Sequence, residues 1–259
     1  GPVYILLCIG RLDRLFNLFL LPRIQSPIIW DLIAVMTDLI FCIVYLYFTY
    51  IKDFAIIRDH AKDLELPAWR QKWYNFFAMG YKDTPAQKKN LNFALDIMAA
   101  IIIPTSIVAY SLLAWLFGMN LKVGWNSSIM GPYFVLTALY SGVACLIFIM
   151  WLYRKTQKLE KTFTDEHFTY LGFALVILSL FYGYFYFSEY LTDWYNMSNT
   201  YKALWAKIFD FSQYGWMFVF GIAFTTAIPA LVIGFPWLRS INSIALTSVL
   251  VLLGLWLMR

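Results

Sequence analysis

Long apolar stretches separated by short polar ones dominate this chain. A membrane-spanning helix needs roughly 20 mostly apolar residues. Five stretches without a charged side chain reach about that length: 97–121, 123–153, 168–188, 211–238 and 240–258. A sixth stretch, 28–51, is long enough but contains Asp31 and Asp38. Residues 1–9 have the composition expected for the last turns of a seventh helix, whose start would precede this sequence.

This pattern predicts an all-α polytopic transmembrane helix bundle with six or seven spans. Helices are expected because lipid offers no partner to backbone groups, and because the stretches lack the roughly ten-residue alternation of barrel strands. We expect residues 1–51 to end a first bundle, 52–90 to form a polar connection, and 91–259 to form a second bundle with a final helix. Residues 69–77 (WRQKWYNFF) mix aromatic and cationic side chains and predict an interfacial helix.

The composition excludes a soluble globular domain. Hydrophobic residues make up 61% of the chain and charged residues 14%, and the mean hydropathy is +0.65. Soluble domains average roughly 45–50% apolar and 25% charged residues. The three cysteines lie in apolar stretches without C-x-x-C spacing, so neither a disulfide framework nor an iron–sulfur site is predicted.

The net charge of +5 does not indicate nucleic-acid binding, because the basic residues are spread over the short segments between apolar stretches. Thirteen of the 20 lysines and arginines lie in segments 52–90, 154–166 and 236–239. Cytoplasmic loops of membrane proteins carry such an excess. The excess of positive charge therefore predicts that the segments 52–90 and 154–161 lie in the cytoplasm.

Four carboxylates lie in or beside predicted spans, where a charged side chain is costly and is a functional candidate by default. They are Asp31, Asp38, Asp96 and Glu189. Asp31 and Asp38 are seven residues apart and share one helix face, with Asp38 near mid-depth. Asp31 and Asp96 also suit acids that border a helix at the interface. Glu189 suits an aqueous boundary as well as a bundle interior.

Only two histidines are present, His60 in the polar connection and His167 at the edge of a span. A membrane cytochrome b needs paired histidines at membrane depth, so the sequence predicts no haem, and it shows no metal-ligand pattern. His167 follows Asp165 and Glu166. It is either a proton relay favoured by the nearby carboxylates or part of a helix start where the acids complement the helix dipole.

Several phrases in one order resemble the membrane subunits of the polysulphide reductase/NrfD family, most of all the ActC-type subunit of alternative complex III. They are GRLDRL (10–15), QSPIIWDLIAV (25–35), VGWNSSIMGPYFVLTALYSG (123–142), TDEHF (164–168) and YFSEYLTDWY (186–195). The resemblance extends over nearly the whole chain. Family members are longer at the N-terminus, so this chain resembles their latter part.

The resemblance implies a fold of two four-helix bundles with about eight to ten transmembrane helices. It implies a binding site for menaquinone or ubiquinone, electron transfer to or from an iron–sulfur partner subunit, and no redox cofactor in the subunit itself. A c-type cytochrome or molybdoenzyme-like subunit and a second NrfD-like subunit are further implied partners. The implied location is the prokaryotic cytoplasmic membrane.

Three positions depart from the ActC-type pattern, in which a His, an Asp six residues later and a GWH turn follow the equivalent of Pro104. Here these positions are Tyr110, Leu116 and Asn126. Tyrosine and asparagine form hydrogen bonds but do not titrate near neutral pH, and leucine carries no proton. The usual proton path is therefore in question, and a path rerouted through Asp38 and Asp96 is an alternative.

Asp13, Arg14, Trp125 and Asn126 are candidates for contact with a quinone head group or a partner subunit. Arg14 offers permanent planar donors, and an interfacial ion pair with Asp13 is the competing interpretation.

The sequence predicts a quinone-interacting membrane subunit of a respiratory oxidoreductase complex, with proton translocation left open. A non-catalytic membrane anchor, favoured by the changed positions, and a proton-coupled transporter, favoured by the buried acids, are the alternatives.

Overall fold

The computed structural model describes residues 16–61, 65–121, 124–195 and 199–258. Within these ranges the chain forms helices and no strand, as the sequence predicts. In chain order the elements are α1 (Asn17–Leu20), α2 (Pro27–Asp59), α3 (Ala68–Ala78), α4 (Pro85–Gly118), α5 (Met130–Thr156), α6 (Asp165–Tyr195), α7 (Asn199–Phe209), α8 (Gly215–Ile222), a π-helical segment (Ala223–Ala227), α9 (Ile228–Gly234) and α10 (Ile241–Leu257).

Among the described residues, five helices are long and apolar enough to cross a membrane. They are α2, α4, α5, α6 and the helix Gly215–Gly234, which joins α8, the π-helical segment and α9. α10 is also apolar but shorter, with 17 residues. All six long apolar stretches of the sequence are therefore helical, and the protein is a multi-pass membrane protein. The expected seventh helix, residues 1–9, lies outside the described residues.

The connection predicted at residues 52–90 is shorter than its composition suggests. α2 continues through Lys52 to Asp59, and α4 already begins at Pro85. A helix can extend past the hydrocarbon layer because its backbone hydrogen bonds also form outside that layer. Long cationic side chains on this extension reach the lipid head groups. α2 has 33 residues, about 50 Å at the helical rise. α3 contains the predicted helix 69–77.

The chain divides into two compact units, residues 1–113 and 114–259. In the first unit, α2 and α4 run antiparallel. Lys52 Nζ donates to Asn92 Oδ1 at 3.4 Å, and Ser106 Oγ donates to Asp38 Oδ1 at 2.6 Å. Between these two hydrogen bonds the residue number falls by 14 on α2 and rises by 14 on α4, as antiparallel helices require. The small buried cluster of this unit consists of Ala55, Ala78, Tyr81 and Leu91.

The second unit is a four-helix bundle of α5, α6, Gly215–Gly234 and α10 around one apolar core. Small residues let helix backbones approach closely in membrane proteins. Gly172 of α6 faces Ile233 and Ile244, and Gly254 of α10 faces Phe224. The fully buried side chains of this core include Tyr140, Ala144, Ile147, Phe168, Leu175, Tyr182, Ile233, Ile244 and Val251.

Gly254→Ala is expected to destabilise the second unit, because a β-carbon there would lie 2.7 Å from Phe224 Cβ and 2.9 Å from Thr225 Cγ2. Overpacking of this kind costs about 1–3 kcal/mol, which should lower the midpoint of thermal unfolding followed by tryptophan fluorescence. Gly142→Ala is the matched control, since a β-carbon at Gly142 meets no atom within 4 Å. Equal midpoints for the two variants would contradict the close packing at Gly254.

Candidate functional site

Two cavities flank the last turns of α6 in the second unit. The aromatic cavity has a volume of about 360 Å³, and the acidic cavity, with Glu189 and Asp193 in its wall, has about 550 Å³. Glu189 and Tyr190 point about 100° apart on the helix, so α6 presents a carboxylate to one cavity and a phenol to the other. The aromatic cavity is lined by Leu180, Tyr182, Gly183, Tyr186, Phe187, Tyr190, Trp205, Phe209, Phe218, Ile222, Thr225 and Thr226.

Packed aromatic rings form the walls of the aromatic cavity. The ring centroids of Tyr186 and Tyr190 are 4.6 Å apart. Tyr190 lies 5.4 Å from Trp205 and 5.6 Å from Phe218, and Phe209 lies 4.9 Å from Phe218. Offset and edge-to-face contacts of this kind fix the rings relative to one another. The resulting walls suit a flat, largely apolar ligand.

Most polar groups in the aromatic cavity are hydroxyls. Tyr186 Oη donates to Tyr190 Oη at 2.8 Å, which leaves the hydroxyl hydrogen of Tyr190 to donate to a ligand. Thr225 Oγ1 instead donates to the Gly221 carbonyl at 2.8 Å. The cavity therefore offers a phenol donor in apolar surroundings, a combination that orients small ligands.

The π-helical segment shapes one side of the aromatic cavity. Thr225 and Thr226 belong to Ala223–Ala227 and both line the cavity. The i→i+5 bonding of a π turn differs from that of the flanking helix, and Tyr140 Oη braces it by donating to the Thr225 carbonyl at 2.7 Å. Single π turns within α-helices recur at functional sites. Here the irregular turn and the cavity coincide.

Carboxylates and hydroxyls line the acidic cavity. Glu189 is half-buried and hydrogen-bonds with Ser127, and Asp193 follows one helical turn later. On α7, burial raises the pKa of the Tyr201 phenol, and the charges of Asp193 and Glu189 raise it further. Tyr201 therefore stays protonated at neutral pH and is able to donate a hydrogen bond to a ligand. The other lining residues are Asn126, Ser128, Ile129, Pro132, Ser188 and Thr192.

The structure brings two residues singled out from sequence, Glu189 and Asn126, together in the acidic cavity. Trp125 lies elsewhere, exposed and with its ring centroid 5.1 Å from that of Phe117. Sequence reasoning missed Asp193, although its position four residues after Glu189 places both on one helix face. That spacing was the signal available for finding it.

Three further carboxylates that were candidates from the sequence lie in the first unit. Asp38 and Asp31 of α2 are half-buried, whereas Asp96 of α4 is exposed. Asp38 Oδ1 accepts the hydrogen bond from Ser106, but Asp31 Oδ1 is buried and has no hydrogen-bond partner within the described ranges. A buried polar atom without a hydrogen-bond partner lowers the free energy of unfolding. Asp31 therefore remains a functional candidate.

His167 caps the start of α6. Its Nδ1 lies 2.7 Å from Thr164 Oγ1 and 3.3 Å from the backbone nitrogen of Thr164, which resembles the reciprocal bonding of a capping box. Asp165 pairs with Arg154 at 2.9 Å. These contacts are those of a helix start, one of the two interpretations of the sequence, and His167 lines neither of the two cavities.

The structure describes all three positions that depart from the ActC-type pattern. Tyr110 is exposed on α4, Leu116 is half-buried, and Asn126 lines the acidic cavity. Asp13 and Arg14 fall outside the described residues. In the part of the chain that the structure describes, no group of three or more His, Cys, Asp or Glu side chains is arranged to hold a metal ion.

Comparison with known proteins agrees with the family resemblance that the sequence motifs indicate. The family described as "Polysulphide reductase, NrfD" matches residues 1–259. A protein of Halobacterium salinarum, named as a membrane subunit of a dimethyl sulfoxide reductase, is 26% identical over 142 residues, which are 54% of this chain and 29% of that relative. The match thus spans less than a third of the relative's length. Because the family match extends over the whole sequence, the chain belongs to the NrfD polysulphide reductase family.

Proposed function

We propose that this chain is the quinone-binding membrane subunit of a multi-subunit respiratory oxidoreductase. The observation that carries the proposal is the aromatic cavity formed by α6, α7 and the helix Gly215–Gly234. The flat ring of a menaquinone or ubiquinone suits its aromatic walls, and Tyr190 offers a donor to a ring oxygen. Leu180 and Phe187 at the rim are 55% and 63% exposed, which leaves an apolar exit for an isoprenoid tail.

The acidic cavity supports a proton-accepting role beside the ring site. Oxidation of a quinol releases two protons with its two electrons. Glu189 is adjacent to Tyr190 on α6 and opens into a cavity shared with Asp193, so its carboxylate is placed to accept a proton and pass it toward water. Translocation of further protons would use the first unit, where Asp38 is bonded to Ser106.

Electron transfer requires a partner in this proposal. The sequence contains neither a cysteine motif for an iron–sulfur cluster nor paired membrane histidines for haem. We therefore assign the electrons to an iron–sulfur subunit docked at the membrane face. The relative is by its name a reductase membrane subunit, and the ActC-type motifs favour a complex with a c-type cytochrome or molybdoenzyme-like subunit and a second NrfD-like subunit, in a prokaryotic cytoplasmic membrane.

A non-catalytic anchor is the second candidate function. The observation that favours it is the loss of titratable residues at the three positions that depart from the family pattern, Tyr110, Leu116 and Asn126. An anchor needs the fold of the bundle but has no use for a ligand-binding aromatic cavity. Variants that change the cavity without changing the bundle therefore separate the two functions.

Leu180→Trp tests the proposal by narrowing the aromatic cavity. Leu180 lines the cavity and Ile177 does not, although both lie on α6 and each is 55% exposed, so Ile177→Trp is the matched control. In a titration of the purified complex with a short-chain quinol, we expect a Kd about tenfold higher for Leu180→Trp and within about twofold of the unaltered protein for Ile177→Trp. Equal Kd values for both variants, or no saturable binding, would favour the anchor.

A further inference from the structure

A third cavity, called the basic cavity, lies at the opposite end of α6 from the acidic cavity. Its volume is about 530 Å³. Its lining comes from the end of α5, the start of α6 with Glu160 in the segment before it, and residues 239–244 at the start of α10. Asp165 in its wall and Glu189 in the acidic cavity are about 36 Å apart along α6 at the helical rise. This distance exceeds the hydrocarbon thickness of about 30 Å, so the two cavities cannot both lie within the hydrocarbon. The charged lining of the basic cavity is that expected at head-group level.

Aromatic rings, rather than carboxylates, hold two cations of the basic cavity. Lys155 Nζ lies 5.0 Å from the centroid of the Trp151 ring. The Arg239 guanidinium lies 4.7 Å from the centroid of Phe173. Cation–π contacts position a cation without neutralising its charge. Neither Lys155 nor Arg239 forms an ion pair within the described ranges, so both charges remain available to an anion.

The remaining groups of the basic cavity complete an anion site. Arg154 is paired with Asp165 at 2.9 Å, which leaves Glu160 as the one carboxylate among the described lining residues that is not paired with a cation. Asn242 Oδ1 accepts from Trp151 Nε1 at 3.0 Å, so its amide NH2 remains a donor. Ser240 Oγ caps α10, a helix of 17 residues, by accepting from the Ser243 N–H at 3.1 Å. The Ile241 and Asn242 N–H groups of the first turn lie at the positive end of the helix dipole.

We infer that the basic cavity binds the phosphodiester head group of an anionic membrane lipid such as phosphatidylglycerol. Guanidinium, ammonium and amide donors match phosphate oxygens. A lipid rather than a soluble phosphate is expected because the cavity lies between the ends of three apolar helices, and basic pockets between transmembrane helices bind lipid head groups. The lipid would join α5, α6 and α10, and this role is independent of any quinone chemistry.

Removal of the two unpaired cations tests this inference. The double variant Lys155→Gln/Arg239→Gln is compared with Lys158→Gln/Lys161→Gln, which removes the same charge beside the cavity without changing its lining. The purified complex is titrated with phosphatidylglycerol or phosphatidylcholine in mixed micelles, and native mass spectrometry counts the bound lipid. We expect phosphatidylglycerol affinity to fall about tenfold in the first variant and to stay within about twofold in the second.

Misfolding also abolishes binding, so a variant that strengthens binding is needed. Glu160→Gln removes the opposing carboxylate and should raise phosphatidylglycerol affinity about threefold, while Glu166→Gln, outside the cavity, should leave it unchanged. Equal retention of the two lipids, equal losses in the two double variants, or unchanged affinity in Glu160→Gln would overturn the inference. Displacement of phosphatidylglycerol by inorganic phosphate at the same concentration would show that the cavity binds free phosphate rather than a lipid head group.

Discussion

Replacement of Glu189 by glutamine is expected to lower the kcat of quinol oxidation about 100-fold, because a positioned proton acceptor contributes roughly 10²–10⁴-fold to a rate. Glutamine keeps the length of the side chain and a hydrogen bond to Ser127, but it cannot take up the proton after that proton has left the ring site. The ring site lies on another face of α6, so the KM for quinol should stay within about twofold. The measurement is steady-state quinol oxidation by the purified complex.

Glu166→Gln is the matched control for this prediction. Glu166 lies on the same helix as Glu189 but is exposed and lines neither the aromatic nor the acidic cavity. An equal loss of kcat in both variants, or full activity in Glu189→Gln, would refute the assignment of Glu189 as proton acceptor. A higher KM with unchanged kcat would instead place Glu189 in ring binding.

Tyr190→Phe should raise the KM for quinol about tenfold, because a hydrogen bond to a ligand in a buried site contributes about 1.5 kcal/mol at the upper end of the usual range. The variant removes the hydroxyl but keeps the ring that packs on Trp205 and Phe218. Tyr186 loses its acceptor on Tyr190 but still has Met258 Sδ at 3.8 Å. The cavity should therefore keep its shape while losing its donor.

Tyr184→Phe is the control for the loss of a phenol from α6, since Tyr184 is 63% exposed and does not line the aromatic cavity. Both variants are compared by their KM for a short-chain quinol and by thermal unfolding of the purified complex. An unchanged KM in Tyr190→Phe with an unchanged unfolding midpoint would show that Tyr190 does not contact the ring. Equal increases in KM for both variants would point to an indirect effect.

The spans were predictable because lipid imposes a strong rule on composition, but the points at which helices end were not. The apolar stretch 168–188 corresponds to α6, which runs from Asp165 to Tyr195. Once a helix leaves the hydrocarbon, water and head groups satisfy its polar side chains, so composition no longer marks where it stops. Glu189 and Asp193 lie in this extension, beyond the last residue that hydropathy alone assigns to the span.

The aromatic cavity shows why the site was harder to predict than the fold. The aromatic run at 182–190 favours interfacial packing when it is considered alone, because aromatic residues are common where helices meet the membrane surface. The opposite wall includes Trp205 and Phe209 of α7, within a segment between spans that sequence alone did not assign to a helix. The cavity depends on the docking of that helix, which a local pattern does not contain.

The acids of α2 illustrate the same limit. A spacing of seven residues places Asp31 and Asp38 on one helix face. In the structure both side chains are half-buried, as expected for residues on the same face. The hydrogen bond from Ser106 to Asp38 joins residues 68 positions apart in sequence. Such a pairing follows from the antiparallel packing of α2 against α4, and no periodicity in either helix predicts it.

The most direct test of the central claim is photoaffinity labelling of the purified complex with an azido-quinone, followed by peptide mass spectrometry. The proposal predicts labelling within α6, α7 and the helix Gly215–Gly234, at residues such as Tyr190, Trp205 and Phe218, which line the aromatic cavity. An excess of unlabelled quinol should prevent this labelling. Labels confined to residues outside the aromatic cavity or to another subunit, or labels that quinol does not displace, would contradict a quinone site in this chain.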